Sequence, residues 1–129
     1  MIHSTENRVR NFRELKVYQM AFESAMKIFQ ITKILPKEEK YVLVDQIVRS
    51  SRSVCSNLSE AWRKRSYIAV FKNKLSDCSQ EAAETQTWLE FSLKCNYIEE
   101  KTFSELDGQY EQIFAMLTSM DRKAHLFCK

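Results

Sequence analysis

The sequence predicts an all-α fold: an antiparallel, up-down-up-down four-helix bundle with left-handed packing. Three observations predict it. The 129 residues include one glycine, Gly108, and one proline, Pro36, too few turn residues for a strand-rich domain that must reverse about every 8–12 residues. Apolar residues recur at alternating spacings of three and four, the signature of helices that bury one stripe against other helices. The segments are joined by short connections, which favours antiparallel neighbours, and the three-four repeat favours left-handed packing. Hydrophobic residues at 44% and charged residues at 29% suit a folded domain rather than a disordered chain. The expected organisation is an N-terminal tail over 1–11, a bundle over 12–121 and a C-terminal tail over 122–129.

The first helix is expected over 13–35, with Leu15, Tyr18, Phe22, Ala25, Phe29 and Thr32 facing inward. Pro36 ends it, because proline disfavours helical geometry in the preceding residue. The second starts near Lys37, where Glu38 and Glu39 suit the positive end of the helix dipole. Its stripe is Val44, Ile47, Ser51, Val54, Leu58 and Ala61. The third runs over 66–95, with Ser66 as its expected N-cap and Phe71, Leu75, Cys78, Ala82, Thr85, Leu89 and Ser92 inward. Asn96 is the expected left-handed residue after it. The fourth runs over 99–121, with Phe103, Leu106, Tyr110, Ile113, Leu117 and Met120 inward. Gly108 falls inside this helix, where it costs about 1 kcal/mol relative to alanine.

A second apolar stripe accompanies the first. It comprises Val17, Ala21, Ser24, Ile28, Ile31 and Leu35 on the first helix, and Tyr41, Val48, Cys55 and Trp62 on the second. The third helix adds Trp88, Phe91 and Cys95, and the fourth Phe114 and Met116. Two readings stand: wide buried faces in a small bundle, or a surface for self-association. On the second, Tyr41, Val48, Trp62, Trp88 and Phe91 are the candidate oligomer contacts.

Charge is segregated along the chain although the net is only +3. From Arg49 to Lys74 there are seven basic residues and one acid, Glu60; from Leu75 to Glu111 there are two lysines and nine acids. Arg63-Lys64-Arg65 is the densest basic point. Such a cluster can neutralise phosphates, giving salt-dependent binding with little sequence preference. The alternatives are a solvated surface or pairing with the acidic section of a neighbouring copy.

The parts needed for catalysis are not evident. His3 and His125 lie outside the expected bundle, so no Glu-x-x-His pair projects inward as a di-iron bundle requires. One glycine cannot build a phosphate-cradling loop. Glu81 and Glu84, one turn apart, read as a solvated or salt-bridged face rather than an acid/base pair. Cys55, Cys78, Cys95 and Cys128 form no CxxC pair and read as reduced thiols. No metal or cofactor is expected, and no enzymatic activity. No apolar run reaches the ~18 residues of a membrane span, and the N-terminus lacks a secretion signal, so a cytoplasmic location is expected.

Several stretches resemble a known family. Asp45-Gln46-Ile47-Val48-Arg49-Ser50-Ser51-Arg52-Ser53-Val54-Cys55-Ser56-Asn57-Leu58-Ser59-Glu60-Ala61-Trp62 resembles the Q-I-x-R-A-x-x-S-[IV]-x-x-N-I-A-E-G stretch of bacterial four-helix-bundle proteins encoded by intervening sequences of 23S ribosomal RNA genes. Phe12-Arg13-Glu14-Leu15-Lys16-Val17-Tyr18 is similar to the family's F-x-x-L-x-[VI]-[WY]. Leu35-Pro36-Lys37-Glu38-Glu39-Lys40-Tyr41-Val42-Leu43 is similar to its [FL]-P-x-x-E-x-[FY]-x-L. Glu81-Ala82-Ala83-Glu84-Thr85-Gln86-Thr87-Trp88-Leu89 resembles the E-[AS]-x-E-T-x-x-W-L of one subgroup. The family's glycine after N-I-A-E is Ala61 here, so a positive-φ turn at that point is not expected.

The resemblance implies a homopentameric ring and no known enzymatic activity. It also implies kinship with the accessory variability determinant of diversity-generating retroelements, which binds nucleic acid and a reverse transcriptase through a basic surface. The leading expectation is therefore an oligomeric accessory protein that binds RNA or DNA, or a ribonucleoprotein, through Arg49, Arg52, Arg63, Lys64 and Arg65. The alternative is a protein-protein interaction scaffold without a nucleic-acid role. Asn57 and Glu60 match the family motif and are expected to fix register by bonding a neighbouring helix or subunit. Glu60 is expected to pair with an arginine or with backbone N–H, because an unpaired buried carboxylate is costly.

Overall fold

Four long helices and one short one carry the chain in the computed structural model, which describes residues 9–128. They are α1 (Lys16–Thr32), α2 (Asp45–Arg63), α3 (Ile68–Lys94), α4 (Glu100–Arg122) and α5 (Ala124–Phe127). No strand occurs among the described residues. No helix among them is long and apolar enough to cross a membrane. Each long helix packs on the next, and α1 also packs on α4, with the α2–α3 pair the most extensive. Bonds across that pair run antiparallel: Ser50 meets Thr85, Val54 meets Cys78, and Glu60 meets Lys74.

The expected stripes of α3 and α4 form the centre. All seven α3 residues named from the sequence are buried, as are Leu106, Tyr110, Ile113, Leu117 and Met120 of α4. Burying each large apolar side chain contributes about 1.5–3 kcal/mol. α2 buries Ile47, Ser51, Val54, Leu58 and Ala61 as expected, together with Ser50, Cys55 and Trp62. The buried serine and threonine hydroxyls are hydrogen-bonded, whereas the buried Tyr110 hydroxyl has no partner among the described residues. Ser50 and Thr85 lie 2.8 Å apart, and Thr85 also donates to the Glu81 carbonyl at 2.9 Å.

On α1 the structure buries most of the second stripe, while of the expected inward stripe only Leu15 and Ala25 are buried. Val17, Ala21, Ser24, Ala25 and Ile28 are buried, whereas Phe22 is 49% exposed and Phe29 only partly covered. The small residues on the buried side permit close helix approach, and the Gln109 amide oxygen accepts from the Ser24 hydroxyl at 2.8 Å. That bond removes the cost of burying the serine.

The ends also differ from expectation. Residues 37–44 are not the opening of a regular α-helix. A 3₁₀ turn, Lys37–Glu39, leads into a π-helical turn, Lys40–Val44, before α2 begins. The altered winding leaves Tyr41 and Val42 in solvent. Tyr67, not Ser66, precedes the first residue of α3, and no side chain caps it. After α3, Asn96 adopts φ 62° as expected. The N–H of Tyr97 bonds the Ser92 carbonyl at 2.8 Å and that of Asn96 bonds Leu93 at 2.9 Å, which is the Schellman arrangement. The segment expected as a C-terminal tail instead extends the core. Phe127 of α5 is buried against Phe71 and Trp62, with ring centroids 6.1 and 6.2 Å away.

Candidate nucleic-acid interface

The turn between α2 and α3 concentrates the basic residues, and its backbone is hydrogen-bonded throughout. Lys64 N–H donates to the carbonyls of Glu60 and Ala61 at 3.0 and 3.2 Å, Arg65 N–H to Trp62 at 3.3 Å, and Tyr67 N–H to Lys64 at 2.9 Å. Arg65 is fastened to this frame. Its guanidinium lies 4.1 Å from the centroid of the Trp62 ring and donates to the Trp62 carbonyl at 2.9 Å. A cation there also suits the negative end of the α2 dipole.

Arg63 and Lys64 are not fastened in this way. Both are exposed, and neither forms an ion pair among the described residues. With Phe12, Ser59, Glu60, Val70 and Lys74 they line one shallow depression. Phe12 reaches it from the segment before α1, held edge-on against Tyr18 at 5.0 Å. Arg13 lies over the Phe12 ring at 4.5 Å and is steadied by the Asn11 side chain, which accepts from its backbone N–H at 2.9 Å. Lys74 donates to Glu60 at 2.7 Å, and this bond holds its ammonium above the usual lysine range. Glu60 is the single acid of the depression.

The five arginines and lysines named from the sequence therefore separate. Arg63 and Lys64 stand free at the depression, and Arg65 is engaged by Trp62. Arg49 lies about 20 Å farther along α2 at ~1.5 Å per residue. It is held by Glu81 at 3.2 Å and by Glu84, so those two acids form a salt-bridged face. Arg52 lies 5.4 Å from the Phe29 ring centroid. Lys74, Arg13 and Phe12 join the site without having been singled out in the sequence. Their only signal was distributed, since Phe12 and Arg13 lie some fifty positions from Arg63 and only the packing brings them close.

The two motif residues divide: Asn57 bonds within its own helix, whereas Glu60 reaches the neighbouring α3. Asn57 donates to Ser53 of its own helix at 2.9 Å rather than to a neighbouring one. Glu60 is exposed and pairs with a lysine, not with an arginine or backbone N–H. Of the candidate oligomer contacts, Trp62 is 3% exposed and already spent on the chain's own core. Val48 and Trp88 are partly covered, whereas Tyr41 and Phe91 are open at 78% and 53%.

Among the described residues no group of three or more His, Cys, Asp or Glu side chains could hold a metal ion. His125 is exposed on α5, and His3 lies outside the described residues. Burial pushes the Cys55 thiol up to about 11, and it raises those of Cys78 and Cys128 as well.

Known proteins extend the comparison. A protein of unknown function from the S23 ribosomal protein family of Bacteroides thetaiotaomicron VPI-5482 has a similar crystal structure, with a TM-score of 0.74 and 33% identity. The match covers 82% of this chain and 95% of that one. No curated protein matches. The family described as 23S rRNA-intervening sequence protein matches residues 13–119. With nearly the whole helical region matched, this chain belongs to the 23S rRNA-intervening sequence protein family.

Proposed function

We propose that this chain is a non-enzymatic, oligomeric bundle protein that binds nucleic acid, or a ribonucleoprotein, through the depression at the α2–α3 turn. The observation that carries the reading is the convergence there of Arg63, Lys64 and Lys74, with Arg13 over the lining residue Phe12, against one acid. Cations gathered from separate segments, with Arg63 and Lys64 in no ion pair among the described residues, suit phosphate neutralisation. The uncapped start of α3 beside them adds the positive end of a long helix dipole. Engagement of Glu81 and Glu84 by Arg49 supports the non-catalytic part of the reading. The helices follow an up-down-up-down course with left-handed packing, and the chain works in the cytoplasm. Copies assemble as a homopentameric ring, as the resemblance implies, and repetition around a ring would strengthen the field at each depression. Exposed Tyr41, Phe91 and Phe114 supply apolar surface for contact between copies.

The test is fluorescence anisotropy with RNA and DNA oligonucleotides as salt is raised. Binding at low salt should weaken steadily with salt and fall at least about tenfold when Arg63, Lys64 and Lys74 are all replaced by alanine. No binding at low salt, or no change in that variant, contradicts the proposal.

A protein-interaction scaffold is the second reading. Phe22 and Met26, one turn apart on α1 and 49% and 47% exposed, favour it. It predicts a partner protein that co-purifies with the chain after nuclease treatment and is lost in a Phe22→Ser, Met26→Ser variant.

A further inference from the structure

We infer that the occupant of the basic depression is single-stranded nucleic acid, held by a base stacked on Tyr67 as well as by phosphate contacts; this rests on the nucleic-acid reading above and narrows it. Tyr67 is 63% exposed at the last position of the turn. Its backbone is fixed on both sides. Its N–H donates to Lys64 at 2.9 Å, and its carbonyl accepts from Phe71 N–H at 2.9 Å. The ring is thus carried outward by a rigid frame. Ile68 and Val70 beside it are 49% and 38% exposed, and Val70 lines the depression.

This apolar surface lies in a stretch of one sign of charge. From Ala61 to Ser76 the chain has five cations and no acid. Exposed aromatic area next to unpaired cations matches a ligand that offers a flat π-face and a phosphate together. A duplex hides its base faces and offers chiefly phosphates in a long array. Among the described residues of one chain, α2 does not present a matching array. Along α2, Arg49 is taken by Glu81 and Glu84, and Arg52 lies against Phe29. Within the basic stretch from Arg49 to Lys74, Arg63 and Lys64 at the turn are in neither an ion pair nor a cation–π contact among the described residues. RNA and DNA single strands share the chemistry recognised, so both serve as probes.

The experiment uses the full chain and three probes of equal length: an unstructured single-stranded RNA, the corresponding single-stranded DNA and the matched duplex. The single strands should bind about tenfold or more tighter than the duplex. Tyr67→Ala should lower single-strand affinity by about tenfold while leaving the salt slope unchanged, and Tyr67→Phe should retain it. Arg63→Ala with Lys64→Ala should instead flatten the slope, by about 0.7 per lost phosphate contact for a single strand. A stronger response to RNA than to DNA, with the same Tyr67 dependence, assigns the source as RNA; the reverse assigns DNA. Equal binding of strands and duplex, unaffected by Tyr67→Ala, overturns this inference and leaves the nucleic-acid reading standing. An unchanged affinity with an altered oligomeric mass in Tyr67→Ala assigns the ring to contact between copies and likewise overturns it. No binding of any probe at low salt overturns both. Circular dichroism establishes that each variant keeps its helices.

Discussion

Glu60 on α2 and Lys74 on α3 meet at 2.7 Å on the rim of the depression, so its one carboxylate neutralises one of its cations. The pair ties two antiparallel helices near their shared turn and lowers the field a phosphate would meet.

Replacing Glu60 by Gln should therefore strengthen nucleic-acid binding at low salt by severalfold. With Lys74 released, the salt slope should steepen by about 0.7–0.9, one extra phosphate neutralised. Helicity should not change, because both partners are substantially exposed and pairs of this kind contribute little to folding. Weaker binding in Glu60→Gln would show that the carboxylate positions Lys74 rather than masking it.

Arg49 should behave in the opposite way. Arg49→Ala leaves Glu81 and Glu84 facing each other without a cation, and stability should fall by about 0.5–1 kcal/mol in urea unfolding. Nucleic-acid affinity should stay within about twofold of wild type, because this guanidinium is already occupied. A large affinity loss with unchanged stability would place Arg49 in the binding surface after all.

Gly108 offers a direct check on the packing of α4. A Cβ built there meets nothing within 4 Å, and its φ is not positive. Gly108→Ala should raise stability by about 0.5–1 kcal/mol by lowering the conformational freedom of the unfolded chain. A lower unfolding midpoint would reveal that something packs closely on Gly108 in solution.

The thiols give a pH dependence. Burial raises Cys55 to about 11 and raises Cys78 and the Tyr110 phenol as well, so these groups ionise more readily in the unfolded chain. Their contribution to stability is whole below about pH 9 and is lost as pH climbs toward and through 11. The urea midpoint, measured under reducing conditions, should hold up to pH 8 and drop between 9 and 11. At pH 8 a thiol reagent should label exposed Cys95 first and reach Cys55 and Cys78 only on unfolding. Rapid labelling of all four thiols would contradict the burial.

The helices were legible in the sequence because large apolar residues marked one face of α3 and of α4 clearly. The second apolar groups there, Trp88, Phe91 and Cys95 on α3 and Phe114 and Met116 on α4, are shorter than the main stripes. On α1 two adjacent stripes carried comparable signals, and the aromatic one was chosen. Packing favours the other, since Ala21 and Ser24 let neighbours approach and Gln109 satisfies the serine. Residues 37–44 are not legible in the sequence because a 3₁₀ turn followed by a π turn has no single 3.6-residue period. Phe127 was missed for a related reason, as α5 is too short to show a period. At the site, Arg63 and Lys64 were visible as a charge run. Arg13 and Phe12 were not, because nothing in a linear count of charge places residue 12 beside residue 70. Arg49 counted as a free cation until its two acidic partners, 32 and 35 residues away, were placed beside it.

Mapping amide hydrogen exchange across the chain, with and without a bound single-stranded oligonucleotide, tests the location of binding most directly. Protection should appear at residues 12–13 and 59–74 and be absent around Glu81 and Glu84. Protection confined to the acidic stretch over 75–111, or none at an oligonucleotide concentration that saturates anisotropy, would contradict the assignment of the basic depression.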